Sequence, residues 1–280
     1  MVVNASPNVR RDFFETTASF WEAQYRNRGL RGRGVQERTA LGVSAMLANR
    51  SGADGMVLDL GAGPGIAADQ IASRGAAVCA VDFCEHLLTR AQTRLKANGR
   101  QRAFVVRADA HHLPFADGTF EGALCIALVT WVQEPERVLR ELARVLKPGS
   151  MAVLTCRTLY YCGDFTDPVF WMRRLLPARL RNRVRAKRRQ HTQAASVEPH
   201  RFTIRRMNRL LRDVGLDISF WRTLQYGDFR MFRRSILPMR WQLAFNNVME
   251  RLWRFPLVRR MGWTYYVHVK VPDATAAFTG

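Results

Sequence analysis

The 280-residue chain is 48% hydrophobic and carries a formal net charge of +21, which allows one large packed domain and excludes a disordered or low-complexity chain. No apolar run approaches the roughly 18 residues of a membrane-spanning helix, and the start lacks a basic-then-apolar leader, so a cytosolic protein is expected. The charge is uneven: residues 1–156 hold 19 Lys+Arg against 15 Asp+Glu, and residues 157–280 hold 25 against 8. That asymmetry suggests a polyanionic partner for the C-terminal part, such as an anionic membrane surface, nucleic acid or an acidic substrate.

In chain order, residues 1–12 read as a disordered start. Residues 13–25 place Phe13, Phe20, Trp21 and Tyr25 at near-helical spacing. Arg26 to Gly34 reads as a flexible Gly/Arg hinge, Val35 to Asn49 as a helix, and Ser51 to Gly55 as a turn. Residues 1–50 would form a helical lid. The central stretch follows: Val57-Leu58-Asp59-Leu60-Gly61-Ala62-Gly63-Pro64-Gly65, a β-favouring run ending on a glycine turn. A helix then opens at Ile66. Strand, tight turn and helix form the opening unit of a nucleotide-binding α/β sheet. The spacing is Asp-x-Gly-x-Gly-x-Gly, not the dinucleotide G-x-G-x-x-G, and the G-K-[ST] of a phosphate loop is absent. Asp59 adds a carboxylate suited to a ligand that is cationic or rich in amine and hydroxyl groups. A second acid, Asp82, ends the strand 77–82, about 20 residues on, where it can accept from ribose hydroxyls or cap the next helix.

Helix 85–97, strand 103–107, strand 120–129, helix 135–146 and strand 150–156 complete an alternating pattern. It predicts an α/β fold with a mostly parallel sheet and helices on both faces. The ligand should sit at the C-terminal ends of the strands, where Gly61, Gly63, Gly65, Asp82, Asp109, Cys125 and Ile126 all fall. The five cysteines form no C-x-x-C pair and the histidines no helical H-x-x-x-H pair, so buried thiols and no metal site are expected.

The glycine turn, the stretch from Arg107 to Glu121 (Arg107-Ala108-Asp109-Ala110-His111-His112-Leu113-Pro114-Phe115-Ala116-Asp117-Gly118-Thr119-Phe120-Glu121) and the stretch from Leu139 to Gly149 (Leu139-Arg140-Glu141-Leu142-Ala143-Arg144-Val145-Leu146-Lys147-Pro148-Gly149) together resemble the class I S-adenosylmethionine-dependent methyltransferases, in particular the small-molecule type. The resemblance covers roughly residues 55–156. It implies a Rossmann-like seven-stranded sheet with S-adenosylmethionine as cofactor. It also implies a cofactor-binding set of Asp59, Gly61, Ala62, Gly63, Gly65, Asp82, Phe83, Asp109, Ala110, His111, Cys125 and Ile126. Asp109 and Ala110 match the positions that read the adenine; Cys125 and Ile126 match those beside the sulfonium. Tyr25, with Trp21 second, is the candidate lid aromatic over the methionine end. Where relatives often carry His-His, this chain has Thr130-Trp131, so no catalytic base is implied there; Trp131, with Trp21 and Thr130, would wall the acceptor pocket.

Residues 157–280 are expected to complete the sheet and to carry two basic, aromatic cap insertions, 157–200 and 227–261. The first holds nine Lys/Arg between Arg173 and Arg189, interleaved with apolar residues at helical spacing, a pattern of membrane-surface helices. A helix is predicted from Thr203 to Val214, a strand from Leu216 to Leu224, and a last antiparallel strand over 265–271. Methyl transfer from a sulfonium needs alignment and exclusion of water more than proton transfer. Candidate bases are Tyr25, Tyr160, Tyr161 and His200. The acceptor is expected to be a small or amphiphilic molecule (lipid, quinone or secondary metabolite). Nucleic acid is disfavoured, because no Asn/Asp-Pro-Pro-Tyr or Pro-Cys signature is present. The alternatives are a cofactor-binding regulator lacking an acceptor pocket and a nicotinamide oxidoreductase, whose glycine spacing does not fit.

Overall fold

The computed structural model describes residues 7–27, 29–49, 55–175, 197, 199–231 and 234–273. Seven strands form one sheet in the order β3-β2-β1-β4-β5-β9-β6. They are β1 (Met56–Leu60), β2 (Ala77–Asp82), β3 (Ala103–Arg107), β4 (Phe120–Ile126), β5 (Leu146–Arg157), β6 (Asp217–Leu224) and β9 (Thr264–Lys270). The first five pair in parallel, and β9 runs antiparallel between β5 and β6. The central strands are near-continuous apolar runs because both faces are covered. One layer centres on Leu58, Cys125, Leu139 and Leu154, the other on Val43, Val57, Ile71 and Val153.

Helices α4 (Ile66–Ala72), α5 (Glu85–Ala97) and α6 (Pro135–Val145) connect the parallel strands. Strand β5 begins earlier than the apolar pattern indicates. Leu146 already pairs with Phe120, and a register shift passes the chain through Gly149 at φ +75° before Met151 pairs with Gly122. Strand β4 ends earlier than expected, at Ile126. Ala127 turns to φ +63° there, and its N–H bonds the Thr155 hydroxyl at 2.8 Å. Helix α8 (Ile204–Asp213) is capped by Thr203, whose hydroxyl accepts from Arg206 N–H at 3.1 Å. Gly215 at φ +79° stops it.

The N-terminal part differs most from its composition. A helix, α1 (Pro7–Thr16), occupies much of the stretch expected to be disordered, and α2 (Ala18–Arg26) follows after a break at Thr17. The supposed hinge is mostly helix: α3 runs Leu30–Ala48 and takes in Gly32 and Gly34. These glycines serve close packing. A Cβ on Gly32 would lie 1.9 Å from the Asn27 carbonyl oxygen, and one on Gly34 would lie 1.5 Å from Gln225 Nε2. Gly32→Ala should therefore destabilise the α2–α3 junction by about 1–3 kcal/mol, read as a lowered Tm, although alanine is the better helix former.

Beyond β5 lie α7 (Pro168–Leu175), a two-residue ribbon of β7 (Arg230–Met231) and β8 (Arg234–Ser235), and α9 (Met239–Arg251). The rest of the basic run, through Arg189, lies outside the described residues.

Candidate active site

A cavity of about 770 Å³ opens at the C-terminal ends of the parallel strands, within the ~300–1,000 Å³ range of small-molecule sites. Its floor is the set of strand ends: Leu60 and Gly61, Val81 to Phe83, Ala108 to His111, Ile126, and Thr155 to Arg157. The N-terminal helices α1–α3 supply Phe14, Trp21, Tyr25, Leu30 and Arg38, with Leu30 at the start of α3; the C-terminal part supplies Tyr161, Gln225, Asp228 and Trp263.

The glycine turn is held by its neighbour strand. Gly61 and Ala62 N–H both bond the Val81 carbonyl, at 2.8 and 3.0 Å. Gly61, Gly63 and Gly65 have φ of +75°, +52° and +74°, a region that glycine alone enters without strain. Asp82 ties the glycine turn to the entrance of α5. Its Oδ2 accepts Gly63 N–H at 2.9 Å and its Oδ1 accepts Cys84 N–H at 3.0 Å, at the entrance of α5. It also lines the cavity. Burial pushes its carboxyl above the usual range, and the N–H groups of Cys84, Gly63 and Phe83 oppose that rise.

Asp109 lies exposed at the exit of β3. Its Oδ1 takes both His111 N–H (2.9 Å) and His111 Nδ1 (2.6 Å), contacts that hold its carboxyl below the usual value. His111 thus orients Asp109 at the cavity wall, beside Ala110. Phe83 meets Phe14 edge-on at 5.5 Å; Trp21 stacks with Phe14 at 5.6 Å and meets Trp131 at 5.1 Å. These rings close one side against water. Thr130 and Ile126 are also cavity walls, and the Thr130 hydroxyl accepts Arg157 N–H at 3.1 Å.

Several expected site residues do not reach the cavity. Asp59 is 2% exposed and sits beneath the turn. Burial, opposed by Ala68 N–H and reinforced by Asp82, pushes its carboxyl up to about 7. Cys125 is fully buried, its thiol pushed up to about 12. Successive strand side chains face opposite sides, so Ile126 meets the cavity and Cys125 the core. Ala62 and Gly65 support the turn from behind: Gly65 packs so closely on α5 that a Cβ would lie 2.7 Å from that of Ala91. Tyr160 points outward, 40% exposed. His200 lies off the cavity walls; its N–H bonds the Thr130 carbonyl and its ring lies 6.1 Å from that of Phe202. Tyr161 is a wall residue, but its hydroxyl oxygen accepts Asp228 N–H at 2.6 Å. Burial, with Cys162 and Asp228, pushes its phenol far above the ordinary value. Tyr25 is a wall residue whose phenol burial also raises, against the lowering influence of Arg38.

Arg38 is the functional candidate that the sequence pattern did not single out. It lies in the inward register of α3 with Val35, Thr39, Gly42 and Val43, a cation in an otherwise apolar or small stripe. It lines the cavity, its Nε is buried without a hydrogen-bond partner, and no carboxylate among the described residues pairs with it.

Residues 58–154 match the Methyltransferase domain family. A demethylmenaquinone methyltransferase of Clavibacter sepedonicus is 40% identical over 118 residues, 42% of this chain and 44% of that protein. A phosphatidylethanolamine N-methyltransferase of Cereibacter sphaeroides is 37% identical over 101 residues, 36% of this chain and 49% of that protein. The chain thus spans less than half the length of these curated relatives. The solved 1,6-didemethyltoxoflavin-N1-methyltransferase of Burkholderia thailandensis shares the fold at a TM-score of 0.60 and 14% identity, over 98% of this chain and 93% of that one. Residues 58–154 thus match a methyltransferase domain family, and they lie in a seven-stranded sheet of the kind that the solved methyltransferase shares.

Proposed function

We propose that the protein transfers a methyl group from S-adenosylmethionine to a small amphiphilic acceptor of the lipid, quinone or secondary-metabolite class. The observation that carries this reading is the distribution of charge around one cavity. Two carboxylates, Asp82 and Asp109, stand at strand ends; Arg38, whose Nε is buried without a hydrogen-bond partner, lines the same cavity from α3; aromatic and aliphatic walls complete it. That set fits a molecule with ribose hydroxyls, an exocyclic amine and a free carboxylate. Asp82 would accept from the ribose, Asp109 Oδ2 from the adenine amine, and Arg38 would pair with the methionine carboxylate. S-adenosylmethionine brings a methyl already activated by the sulfonium charge.

The chain's own task is alignment and exclusion of water. Ile126 would do this beside the sulfonium, Trp21 and Trp131 along the acceptor, and Tyr161 and Trp263 from the C-terminal part. Tyr161 is a poor proton acceptor, with its oxygen already engaged and its phenol raised. Tyr160 and His200 lie off the walls. This supports an acceptor that is already nucleophilic or that meets Asp228 or Tyr25. The room beside Ile126 and Trp131 favours a transferase over a cofactor-binding regulator. The relatives named for demethylmenaquinone and phosphatidylethanolamine support the amphiphilic class.

Calorimetric titration with S-adenosylmethionine and S-adenosylhomocysteine tests the reading, and absence of binding to either would overturn it. Arg38→Leu should weaken S-adenosylhomocysteine by roughly 10- to 100-fold, the scale of one charge-assisted pair. Decarboxylated S-adenosylmethionine, which lacks the carboxylate, should bind the parent and the variant alike.

A further inference from the structure

Helix α9 is apolar on two sides: Phe245 and Met249 pack inward on the Tyr161–Tyr226 cluster, and a second apolar stripe faces out. It buries two polar side chains, Gln242 and Asn246, and turns apolar ones outward: Trp241 is 59%, Val248 53% and Leu252 38% exposed. The inward face is fixed by specific bonds. Gln242 donates to the Ser235 hydroxyl at 2.7 Å and the Leu237 carbonyl at 2.6 Å, and Asn246 Oδ1 accepts Tyr226 N–H at 2.8 Å. The helix therefore cannot roll to hide its apolar stripe. At 3.6 residues per turn, positions 241, 248 and 252 fall within about 40° of one another and span about 16 Å. Phe255 and Leu257, 60% and 71% exposed, continue the surface past the helix end. Nine of the fifteen exposed large apolar side chains among the described residues lie between 231 and 257, a concentration well beyond scattered surface hydrophobes.

The rim of this surface has one sign of charge. Arg240, Arg251, Arg254 and Arg260 are exposed around it. The single acid of the helix, Glu250, is turned inward to Arg222 (3.1 Å) and Gln225 N–H (3.1 Å). An apolar stripe flanked by arginines, on a helix whose own acid is turned inward, complements an anionic bilayer: side chains enter the acyl boundary while guanidinium groups meet headgroups. A protein partner would need its own run of acids to match the rim. No helix of the described residues is long and apolar enough to cross a membrane, so the contact is one of surface docking.

The surface also borders the cavity entrance. Met239, the first residue of α9, packs against the α2–α3 junction, where a Cβ on Gly29 would lie 3.5 Å from Met239 Cε. The next residue, Leu30, is a cavity wall. We propose that the outward face of α9 and the 255–257 turn dock on an anionic lipid surface. Docking sets the α2–α3 junction against the bilayer, so that a membrane-resident amphiphile enters the cavity there. The entry route rests on the methyltransferase reading; the docking surface does not.

The test is sedimentation with phosphatidylcholine vesicles, with and without phosphatidylglycerol. It compares the parent chain with a Trp241→Ser/Leu252→Ser/Phe255→Ser variant that removes no charge and touches only exposed positions. The parent should bind the anionic vesicles selectively, and the variant should bind them about tenfold or more weakly, with equal S-adenosylhomocysteine affinity showing an intact fold. Equal binding of parent and variant would assign the contact to charge elsewhere and overturn the proposal. So would absence of anionic selectivity in the parent, or a parent dimer that the variant dissociates. Loss of S-adenosylhomocysteine binding by the parent would instead overturn the methyltransferase reading, while the vesicle comparison still judges the surface.

Discussion

Asp82→Ala is expected to abolish measurable S-adenosylhomocysteine binding and to lower the Tm by several degrees, with calorimetry reporting the first effect and thermal unfolding the second. The carboxylate holds Gly63 N–H and Cys84 N–H while facing the cavity. Alanine leaves both donors without their acceptor, at a cost of about 1–3 kcal/mol for each buried one. The freed Gly63 amide unpins the turn on which the cofactor would rest, so binding should fall by at least about 100-fold, the loss of two charge-assisted hydrogen bonds. Asp82→Asn separates shape from charge. It keeps one acceptor oxygen but turns an amide N–H₂ toward a backbone donor, so it should fall between parent and alanine variant in both measurements. Full retention of affinity in Asp82→Ala would remove this strand end from the cofactor site.

The same residue shows what sequence can and cannot reveal. Asp82 ends an apolar strand about 20 residues after the glycine turn, and that placement followed from period and punctuation alone. Buried parallel strands are continuous apolar runs, so β1 and β2 lie where the pattern predicts; the edge strand β3 also does, and α5 runs from Glu85 to Ala97 as expected. Facing was harder to read. Asp59 and Asp82 both sit near strand ends, yet one is under the turn and the other beside the cavity. Cys125 and Ile126 are neighbours, and the alternation of the pleat decides between them. Composition misled at Gly32 and Gly34, where close approach to Asn27 and Gln225 explains glycine better than mobility does. The walls contributed by Gln225, Asp228 and Trp263 come from chain far beyond the motif, and only the insertion of β9 beside β5 brings them to it. Arg38 left one signal, its inward helical register, and that signal is ambiguous until a cavity is seen in front of it.

Asp59 supports the second large prediction: the domain should lose stability as pH rises from about 4 to 7, and Asp59→Asn should remove much of that loss. The side chain is 2% exposed, its Oδ2 has no hydrogen-bond partner, and its carboxyl is pushed up to about 7 by burial first. In the unfolded chain an aspartate titrates near 3.9. A folded pKa above the unfolded one means that the native state binds more protons between the two values. The stabilising contribution is then complete below about pH 4, falls through the interval, and is gone once pH has passed about 7. The full interval of about three pH units corresponds to roughly 4 kcal/mol, an upper bound because water and backbone relax around a buried carboxylate. Asparagine keeps the shape and cannot ionise. Chemical unfolding of parent and variant at a series of pH values isolates this residue from Glu250, whose carboxyl is also pushed up to about 7, since Glu250 is common to both proteins. The difference between the two curves should be near zero at pH 4 and grow in favour of Asp59→Asn up to pH 8. A difference that does not change with pH would mean that Asp59 is already ionised in the folded protein, stabilised by more than the Ala68 amide. The ground for placing it outside the cavity, as a buried neutral support of the turn, would then be lost.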